Sequence, residues 1–318
     1  MPALYLSEAD VNQLLDMRLA IEAVEEAFRQ LADRKACNVP RVRAKAPGVV
    51  LHTMSAAAEY LGLAGWKCYA TTRAGARFHV GLYDSRSADL LAIIEAGRLG
   101  QLRTGATTAV AVEWMAVMGA SELGMFGSGH QAETQLEAAT LARPIKQAFV
   151  YSRSETKRKA FAERMSAQLK IDVVPVDRPQ EAAEELPIVI TATTSAEPLF
   201  DGNALSEGTL VCAMGSNWLN KAEIDTNVVR RADNIVCDSI AACRHEAGDF
   251  VAAIEKGVFD WSRAVELADV VSGNAVGRSN RDSVALFKSV GLAIEDVALG
   301  GKLLDLARAK GLGRELPF

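Results

Sequence analysis

A glycine pattern that follows a short apolar run constrains this chain more than any other feature. The run Glu122-Leu-Gly-Met-Phe126 leads directly into Gly127-x-Gly129-x-x-Ala132. In a strand–turn–helix unit the first glycine allows a tight turn, and the second lets the backbone approach a pyrophosphate. The third small residue lets the helix pack closely on the strand. Free N–H groups at the start of the helix then face the phosphates. Because short glycine patterns also arise by chance, the surrounding sequence must support the interpretation.

The sequence after residue 122 alternates between candidate strands and candidate helices. Strands are predicted at 122–126, 147–151, 171–175, 187–191, 209–213 and 234–237, and helices are predicted to begin near Gln131, Glu155 and Gln180. Strands that are apolar throughout and separated by helices are typical of a parallel, doubly wound sheet. The glycine turn lies between the first strand and the first helix of this series. The sequence therefore predicts a dinucleotide-binding site there.

The remaining segments differ in pattern. Residues 7–34 are predicted to be helical, with Ser7 and Asp10 forming a capping box. Residues 38–95 contain short β-rich runs separated by turns, which predicts an antiparallel sheet. An Ala- and Thr-rich stretch predicts a helix over 103–118, and the last helix is predicted to end near Lys310 with Gly311 as its cap.

Composition argues against several classes of function. The 318 residues are 49% apolar and 24% charged, with a net charge of −5, which is ordinary for a globular protein and gives no basic surface for nucleic acid. No uncharged run is long enough to span a membrane, and the N-terminus lacks a signal-peptide pattern, so we expect a cytoplasmic protein. Five scattered cysteines predict reduced thiols, and four histidines without ligand spacing predict no metal site.

The sequence after the second predicted strand bears on which dinucleotide binds. An acidic residue there usually accepts the ribose 2′-OH of NAD. Here Tyr151 is followed by Ser152-Arg153-Ser154, with no acid. Arg153 could stack on adenine or pair with a 2′-phosphate, and Ser152, Ser154 and Lys157 could donate hydrogen bonds to it. This pattern favours NADP(H) over NAD(H). The alternative is a solvated, basic start of a helix.

Nine short motifs follow one another along nearly the whole chain. They are Val39-Pro-Arg41, Gly65-Trp-Lys67, Leu102-Arg-Thr-Gly-Ala106, Gly127-Ser-Gly-His-Gln-Ala132, Val150-Tyr-Ser-Arg153, Thr191-Ala-Thr-Thr194, Lys221-Ala-Glu-Ile-Asp225, Glu246-Ala-Gly-Asp249 and Phe287-Lys-Ser-Val-Gly-Leu-Ala-Ile-Glu-Asp296. In this order they resemble the ornithine cyclodeaminase/mu-crystallin family. The resemblance implies a homodimer and an α/β fold in which a Rossmann-type parallel sheet domain is inserted in a second, α+β domain. We expect residues 117–290 to bind the cofactor, and residues 1–116 plus 291–318 to bind substrate and to dimerise.

The resemblance also narrows the expected reaction. Members of the family transfer hydride at the carbon of an amine or imine that lies next to a carboxylate. We expect an NAD(P)H-dependent reductase of a small α-imino acid, such as pyrroline- or piperideine-2-carboxylate. The alternatives are an ornithine cyclodeaminase or an alanine-type amino-acid dehydrogenase, and an NADPH-dependent small-molecule binding protein of the mu-crystallin type. The fold alone does not choose among them.

Three cations match the family's substrate-binding positions: Arg41, Lys67 and Arg103. A guanidinium binds a carboxylate through two hydrogen bonds, so Arg41 and Arg103 are expected to hold the substrate carboxylate. Lys67 lies between Trp66 and Cys68 on a predicted strand. Partial burial there would lower its pKa and suit it to proton transfer at the substrate nitrogen. The alternative is that all three are ordinary surface cations.

The same resemblance assigns further residues to the cofactor. Thr104 and Thr107 are expected to reach its pyrophosphate or ribose, although Thr104 could instead cap a helix. His130 is expected to contribute its backbone, with its side chain exposed. The complete expected cofactor set is Thr104, Thr107, Gly127, Ser128, Gly129, His130, Gln131, Ser152, Arg153, Ser154, Lys157, Ala192, Thr193 and Met214.

One position departs from the family pattern. Cyclodeaminases and alanine dehydrogenases of the family have an aspartate where Asn217 stands, and residues 212–222 contain no other acid. An asparagine can hydrogen-bond an imine or an amine but cannot act as a base, which puts ornithine cyclodeamination in doubt. Glu246 and Asp249 fall in the family's Glu-x-Gly-Asp motif, and either could line the pocket or cap the following helix; of the two, Glu246 is expected to bind substrate. His52 is more simply explained by ordinary packing or hydrogen bonding.

Overall fold

The structure is a computed structural model that describes residues 2–317. The chain divides into two compact units, Met1–Ala106 with Gly291–Phe318, and Thr107–Val290. The first division falls within a helix, Gly97–Met115, and not after residue 116. The assignment of substrate binding and dimerisation to one domain and cofactor binding to the other stays a prediction.

Strands and helices are numbered along the chain. The strands are β1 Leu4–Leu6, β2 Ala36–Ala46, β3 Val49–Ala58, β4 Leu63–Thr72, β5 Gly75–Asp84, β6 Leu90–Glu95, β7 Glu122–Phe126, β8 Gln147–Tyr151, β9 Asp172–Pro175, β10 Ile188–Thr191, β11 Leu210–Ala213, β12 Asn234–Cys237, β13 Ala264–Glu266, β14 Ala285–Lys288 and β15 Arg314–Glu315. The helices are α1 Glu8–Leu14, α2 Met17–Ala32, α3 Gly97–Met115, α4 His130–Ala142, α5 Glu155–Leu169, α6 Thr226–Arg231, α7 Ile240–Glu246, α8 Val251–Glu255, α9 Leu267–Val271 and α10 Ala293–Lys310.

The first unit is built on a sheet with the strand order β15-β1-β6-β5-β4-β3-β2. Strands β2 to β6 pair with antiparallel neighbours, as the sequence predicted, whereas β1 pairs with β6 in parallel. Helix α10 packs against β2, β3, β4 and β5 as well as α2. The approach is close because Gly301 has no side chain: a Cβ there would lie 2.8 Å from Leu63 Cδ1. The start of α10 therefore lies over the strands that hold the predicted cations.

The predicted helix over residues 7–34 is in fact two helices. The capping box of Ser7 and Asp10 is present at the start of α1. The chain then leaves the helical conformation at Leu15, and Asp16 caps α2 by accepting a hydrogen bond from Leu19 N. An aspartate in this position is itself a helix-start signal. It marks a break between two helices that the spacing of the apolar residues does not reveal.

The second unit is built on a parallel sheet, with the strand order β13-β12-β14-β11-β10-β7-β8-β9 among the residues described. All six predicted strands are present, and the predicted parallel sheet is confirmed. Two strands were not predicted, β13 and the central β14. The predicted helix near Gln180 is wrong, because residues Pro179–Ala182 form only a 3₁₀ turn. This turn lies so close to β7 that a Cβ on Gly124 would overlap the Ala182 carbonyl oxygen.

Within residues 2–317, no helix combines the length and the apolar composition that crossing a bilayer requires.

Candidate functional site

The first unit buries the three cations that the sequence singled out. Arg41 on β2 is 7% exposed, Lys67 on β4 is 3% exposed, and Arg103 on α3 is 8% exposed. The alternative of ordinary surface cations is therefore wrong for all three. Burying a charge is costly unless an opposite charge or hydrogen bonds compensate it. The groups that contact these three cations therefore determine their charge state and their ability to bind a ligand.

The partners of Lys67 and Arg103 are two carboxylates in the first turn of α10, Glu295 and Asp296, both fully buried. Lys67 Nζ donates to Asp296 Oδ1 at 2.6 Å, and Arg103 Nη1 donates to Glu295 Oε2 at 2.7 Å. Arg103 Nε also lies 3.4 Å from Asp296 Oδ1. Both carboxylates lie at the N-terminal end of α10, where the helix dipole attracts negative charge. The sequence analysis had not assigned either acid to the site.

The charges in this cluster do not cancel. Among the described residues of the first unit, the buried charged side chains are Arg41, Lys67, Arg103, Glu295 and Asp296. Three cations against two carboxylates leave one positive charge in excess. An incoming monocarboxylate would neutralise the cluster, and arginine is the residue type best suited to bind it.

Burial and neighbouring charges set the protonation of Lys67. Burial lowers its pKa, the nearby Arg103 lowers it further, and the carboxylate of Asp296 opposes both, so that the pKa of Lys67 falls to about 8. The predicted lowering is confirmed. A lysine with this pKa exchanges its proton near neutral pH far more readily than an exposed lysine does.

Gly291 links the two arginines. Its carbonyl oxygen accepts a hydrogen bond of 3.4 Å from Arg41 Nη2. Its φ of +81° is left-handed, and a Cβ at this position would lie 2.6 Å from Arg103 Nη1. The Arg41 guanidinium also lies 6.0 Å from the centre of the Tyr69 ring. Both arginine heads are thus held by contacts that a side chain at position 291 would disturb.

His52 is part of the core of this unit. Its ring stacks on Tyr69 with the centroids 4.1 Å apart. Its Nδ1 accepts from Arg43 Nε at 3.2 Å, and its Nε2 lies 3.1 Å from Thr71 Oγ1. Burial, followed by the charges of Arg43 and Arg41, lowers the pKa of His52 to about 4. The ring is neutral near pH 7 with its hydrogen-bonding atoms engaged, which agrees with the prediction of ordinary packing.

The glycine turn of the second unit has the geometry that the fingerprint predicts. Gly127 has a left-handed φ of +118°, and a Cβ there would lie 2.5 Å from Ala192 O. Gly129 caps α4, and a Cβ on it would meet no atom within 4 Å. Ala132 is fully buried, and the side chain of His130 is exposed, as predicted. The turn therefore leaves open space beside the N–H groups that begin α4, which suits a pyrophosphate.

The loop after β8 is fixed to this turn. Ser128 Oγ donates to Ser152 Oγ at 2.9 Å, and Ser154 caps α5. Arg158, which is buried, donates to Ser152 O at 3.1 Å and pairs with Asp177. The sequence analysis did not single out Arg158, although it is the residue that holds the backbone of this loop.

The two predicted phosphate-binding cations lie on the surface. Arg153 and Lys157 are both exposed, one directly before α5 and one in its first turn. No acidic residue lies between Tyr151 and Ser154. This arrangement can hold either a 2′-phosphate or water, so the choice between NADP(H) and NAD(H) stays a prediction.

Thr104 and Thr107 lie within α3. Because α3 begins at Gly97, the suggested capping role of Thr104 is wrong. Its hydroxyl donates to Gly100 O at 2.7 Å, one turn earlier in the helix. Thr107 is fully buried, and its neighbour Thr108 is hydrogen-bonded to Gln135 on α4. The expected contact of Thr104 and Thr107 with a cofactor stays a prediction.

A buried carboxylate, Glu223, organises the ends of β10 and β11. It accepts hydrogen bonds from Thr191 Oγ1 at 2.8 Å and from Thr193 N and Oγ1, both at 2.7 Å. It also accepts from Gly215 N at 2.6 Å. These bonds fix the backbone that precedes and follows two residues expected to contact the cofactor, Ala192 and Met214. Glu223 lies in one of the nine motifs, but no role had been predicted for it.

Behind Glu223 lies a fully buried ion pair, Lys288 Nζ with Asp249 Oδ2 at 2.7 Å. Lys288 also donates to Ser216 O at 2.8 Å, and Asp249 Oδ1 accepts from Glu223 N at 2.6 Å. Asp249 Oδ1 also accepts from Ile224 N at 3.3 Å, so this carboxylate holds the loop before α6 to Lys288. Glu246 is buried at the end of α7, and Asn217 is half-buried in the loop after β11. Their substrate contacts stay predictions.

A separate surface pocket of about 610 Å³ lies at the other end of the parallel strands. It is lined by residues just before β10 and β11, including Pro187 and Gly208. None of the predicted site residues lines it. Ligands of parallel α/β sheets bind beyond the carboxyl ends of the strands, so this pocket is not the expected cofactor site.

The parallel sheet and its glycine turn define an α/β protein of the dinucleotide-binding class. The chain belongs to the ornithine cyclodeaminase/mu-crystallin family, whose model matches residues 2–311. The family recognised from the nine motifs and the predicted fold class are both confirmed.

Known relatives give a more detailed comparison. Delta(1)-pyrroline-2-carboxylate reductase of Bacillus cereus is 32% identical over 238 residues, which cover 74% of this chain and 73% of that protein. The solved structure of the Thermococcus litoralis Delta(1)-pyrroline-2-carboxylate reductase, in complex with NADH and L-proline, is 32% identical with a TM-score of 0.94. The match covers 98% of this chain and 100% of that one. An archaeal alanine dehydrogenase dimer with bound NAD is 29% identical with a TM-score of 0.94, and both chains are fully covered.

These relatives bear on the predicted reaction. They are named as a reductase of a cyclic imino acid and as an amino-acid dehydrogenase, which both act on carbon–nitrogen bonds next to a carboxylate. The prediction of an oxidoreductase acting on CH–NH or C=N bonds is confirmed at this level.

Proposed function

We propose that this chain is an NAD(P)H-dependent reductase of a small α-imino acid, such as pyrroline- or piperideine-2-carboxylate. The observation that supports it best is the buried cluster of Arg41, Lys67 and Arg103 with its single excess positive charge. One carboxylate compensates that charge, and Lys67 can deliver the proton that the substrate nitrogen needs. The named activities of the relatives support the same class of reaction.

The cofactor-binding residues fit a nicotinamide dinucleotide. The backbone of Gly127 and Gly129 and the start of α4 would hold its pyrophosphate, in the open space beside Gly129, where a Cβ would meet no atom within 4 Å. Ala192, Thr193 and Met214, fixed through Glu223, would line its nicotinamide end. When bound, NAD(P)H supplies the hydride for the substrate carbon.

The remaining steps use side chains of the first unit. Arg41 and Arg103 bind the carboxylate and orient the adjacent C=N group. As the carbon gains hydride, the π electrons of the C=N bond move to nitrogen, which takes a proton from the Lys67 ammonium. The product is the α-amino acid, and Lys67 is left neutral until it regains a proton from solvent. In the oxidative direction, neutral Lys67 accepts the proton instead.

Ornithine cyclodeamination fits these residues less well. It requires a carboxylate to assist ammonia loss, and the loop after β11 offers Asn217 with no acid in 212–222. Imine reduction needs only a proton donor and an oriented substrate, and Lys67 and the two arginines meet both needs.

We further propose that the enzyme prefers NADP(H) and acts as a homodimer. Arg153 and Lys157, with no acid after β8, favour a 2′-phosphate. Val39 and Val42 on the edge strand β2, and Leu51 on its neighbour β3, are exposed apolar residues, which suits an interface between two copies. The similar alanine dehydrogenase is named as a dimer. Light scattering of the purified chain would test this, and a monomer at micromolar concentration would contradict it.

A panel of substrates assayed with NADPH and NADH in parallel tests the proposed function. We expect oxidation of the cofactor with a cyclic α-imino acid, at a higher kcat/KM with NADPH. Ammonia release from ornithine without net cofactor oxidation would support a cyclodeaminase instead. Tight cofactor binding without turnover on any imino or amino acid would support a binding protein.

A further inference from the structure

The ammonium of Lys67 has few partners in the protein. It can donate three hydrogen bonds, and among residues 2–317 it donates one, to Asp296 Oδ1 at 2.6 Å. Two N–H groups are then available for a substrate nitrogen or a water molecule. The direction in which they point depends on Asp296, because a lysine side chain has four rotatable bonds and no fixed head-group orientation of its own.

The surroundings of Lys67 are otherwise apolar or positively charged. Met54 on β3 and Val80 on β5 lie opposite it in the sheet, and the Phe78 ring centre is 5.7 Å from Nζ. On α3, a Cβ added to Gly100 would lie 3.1 Å from Nζ. The charged groups that act on it are Arg103 from α3, Arg41 from β2 and Asp296 from α10. Of the charged groups that act most strongly on Lys67, Asp296 is the one that favours a charged ammonium.

Asp296 is itself built into a rigid position. It is fully buried in the first turn of an 18-residue helix that packs on the sheet. Its Oδ2 accepts no hydrogen bond from the described residues, so Lys67 and Arg103 are the groups that compensate its charge. A carboxylate held in this way cannot follow a moving lysine, and it has little freedom to pair elsewhere.

We infer that Asp296 is a positioning residue for the proposed reaction: its carboxylate orients the Lys67 ammonium and keeps it charged, so that the group can donate a proton to the substrate nitrogen. The inference rests on the proposed function of Lys67. It adds that the proton donor is a pair of residues 229 positions apart in the chain. Glu295, the adjacent acid, serves Arg103 instead.

The pair explains how a buried lysine remains a proton donor. Burial, Arg103 and Arg41 all lower the pKa of Lys67. The charge and the hydrogen bond of Asp296 raise it, and the resulting pKa is about 8. Without that carboxylate the pKa of Lys67 would fall further, and a larger share of the side chain would be neutral at pH 7. The enzyme would then bind its substrate with a neutral amine where the reaction requires an acid.

Asp296→Asn tests the inference, because it removes the charge and keeps the size of the side chain. The pKa of Lys67 is measured in the holoenzyme from the pH dependence of its trace acetylation by acetic anhydride, read by mass spectrometry. This readout does not depend on a substrate. We expect a value near 8 in the parent protein and a value lower by about one unit or more in the variant. An unchanged value overturns the inference.

A second experiment measures kcat/KM for imine reduction as a function of pH. The informative part is the alkaline limb, the pH range in which kcat/KM falls as the pH rises. Only the protonated form of Lys67 donates, so the rate should fall above pH 8 in the parent and at a correspondingly lower pH in Asp296→Asn. Glu295→Gln is the matched control on the same helix turn. It should raise KM by loosening Arg103, and it should shift the alkaline limb less than Asp296→Asn does, since the carboxylate of Glu295 hydrogen-bonds Arg103.

The two arms separate failure of the inference from failure of the proposed function. If the acetylation pKa shifts but no imino acid is reduced, the pairing stands and the reaction assignment fails. A different outcome is that Asp296→Asn reduces imino acids but changes neither the pKa of Lys67 measured by acetylation nor the pH at which kcat/KM falls. The proposed reaction is then supported and the proposed role of Asp296 is wrong. Should Asp296→Asn not fold, as judged by circular dichroism, Asp296→Ser leaves room for water and is measured in the same way.

Discussion

At the scale of single residues, this chain builds a polar site inside a hydrophobic unit by pairing cations from a sheet and a helix with carboxylates of another helix. Sequence motifs identified Arg41, Lys67 and Arg103. Their partners were not predictable in the same way, because Glu295 and Asp296 lie 192 and 229 positions away from the cations they contact. No local periodicity relates residues so far apart. Only the packing of α10 on the sheet brings them together.

Gly291 provides a test of how firmly the carboxylate-binding arginines are held. Gly291→Ala places a methyl group 2.6 Å from Arg103 Nη1 and strains a φ of +81°. The backbone strain costs about 1 to 2 kcal/mol, and the displaced guanidinium should raise KM for the imino acid by about tenfold, as expected for about 1.4 kcal/mol of lost binding. Steady-state kinetics and thermal unfolding measure the two effects separately.

Gly311→Ala is the matched control for Gly291→Ala. Gly311 also has a left-handed φ, +64°, at the end of α10, but a Cβ there meets no atom within 4 Å. It should lower the unfolding temperature without changing KM. If both variants leave KM unchanged, Arg103 does not bind the substrate carboxylate.

At the scale of elements, the strands of the parallel sheet were predictable because buried parallel strands are apolar along their whole length. Strand β14 was missed although it is equally apolar, since it ends in Lys288 and leads into the motif before α10. Its lysine is fully buried against Asp249, a partner that sequence cannot reveal. The 3₁₀ turn near Gln180 was mistaken for a helix. The turn lies close to β7 because Gly124 has no side chain, and this contact between distant residues is not visible in the local sequence.

The glycine turn between β7 and α4 is the element on which cofactor binding depends. In Gly127→Ala the methyl group would lie 2.5 Å from Ala192 O, with the backbone at a φ of +118°. Strain of about 1 to 3 kcal/mol should move the turn and weaken NADPH binding about tenfold or more. Fluorescence titration of NADPH measures this directly.

Gly119→Ala is the control for the glycine turn. Gly119 has a φ of +81° in the loop before β7, and a Cβ there meets no atom within 4 Å. It should cost stability and leave the dissociation constant of NADPH unchanged. Equal dissociation constants for the parent and Gly127→Ala would show that the turn is not the pyrophosphate site.

At the scale of the whole molecule, the order of the motifs predicted the family and the fold class, and both are confirmed. The sequence also identified the two groups of residues that the proposed reaction would use, a cation cluster and a glycine turn. It did not identify the groups that hold them in place: Glu295 and Asp296, Glu223, and Arg158. These supporting residues act across elements that are distant in sequence.

The central claim is that hydride passes from the nicotinamide to the carbon of an α-imino acid while Lys67 supplies the proton. The most direct measurement uses NADPH with deuterium at both C4 positions, together with pyrroline-2-carboxylate, and analyses the product by mass spectrometry and NMR. We predict one deuterium at the α-carbon of proline for each cofactor oxidised, and a strongly reduced rate in Lys67→Met with unchanged NADPH binding. Proline without deuterium, or full activity in Lys67→Met, would contradict the account.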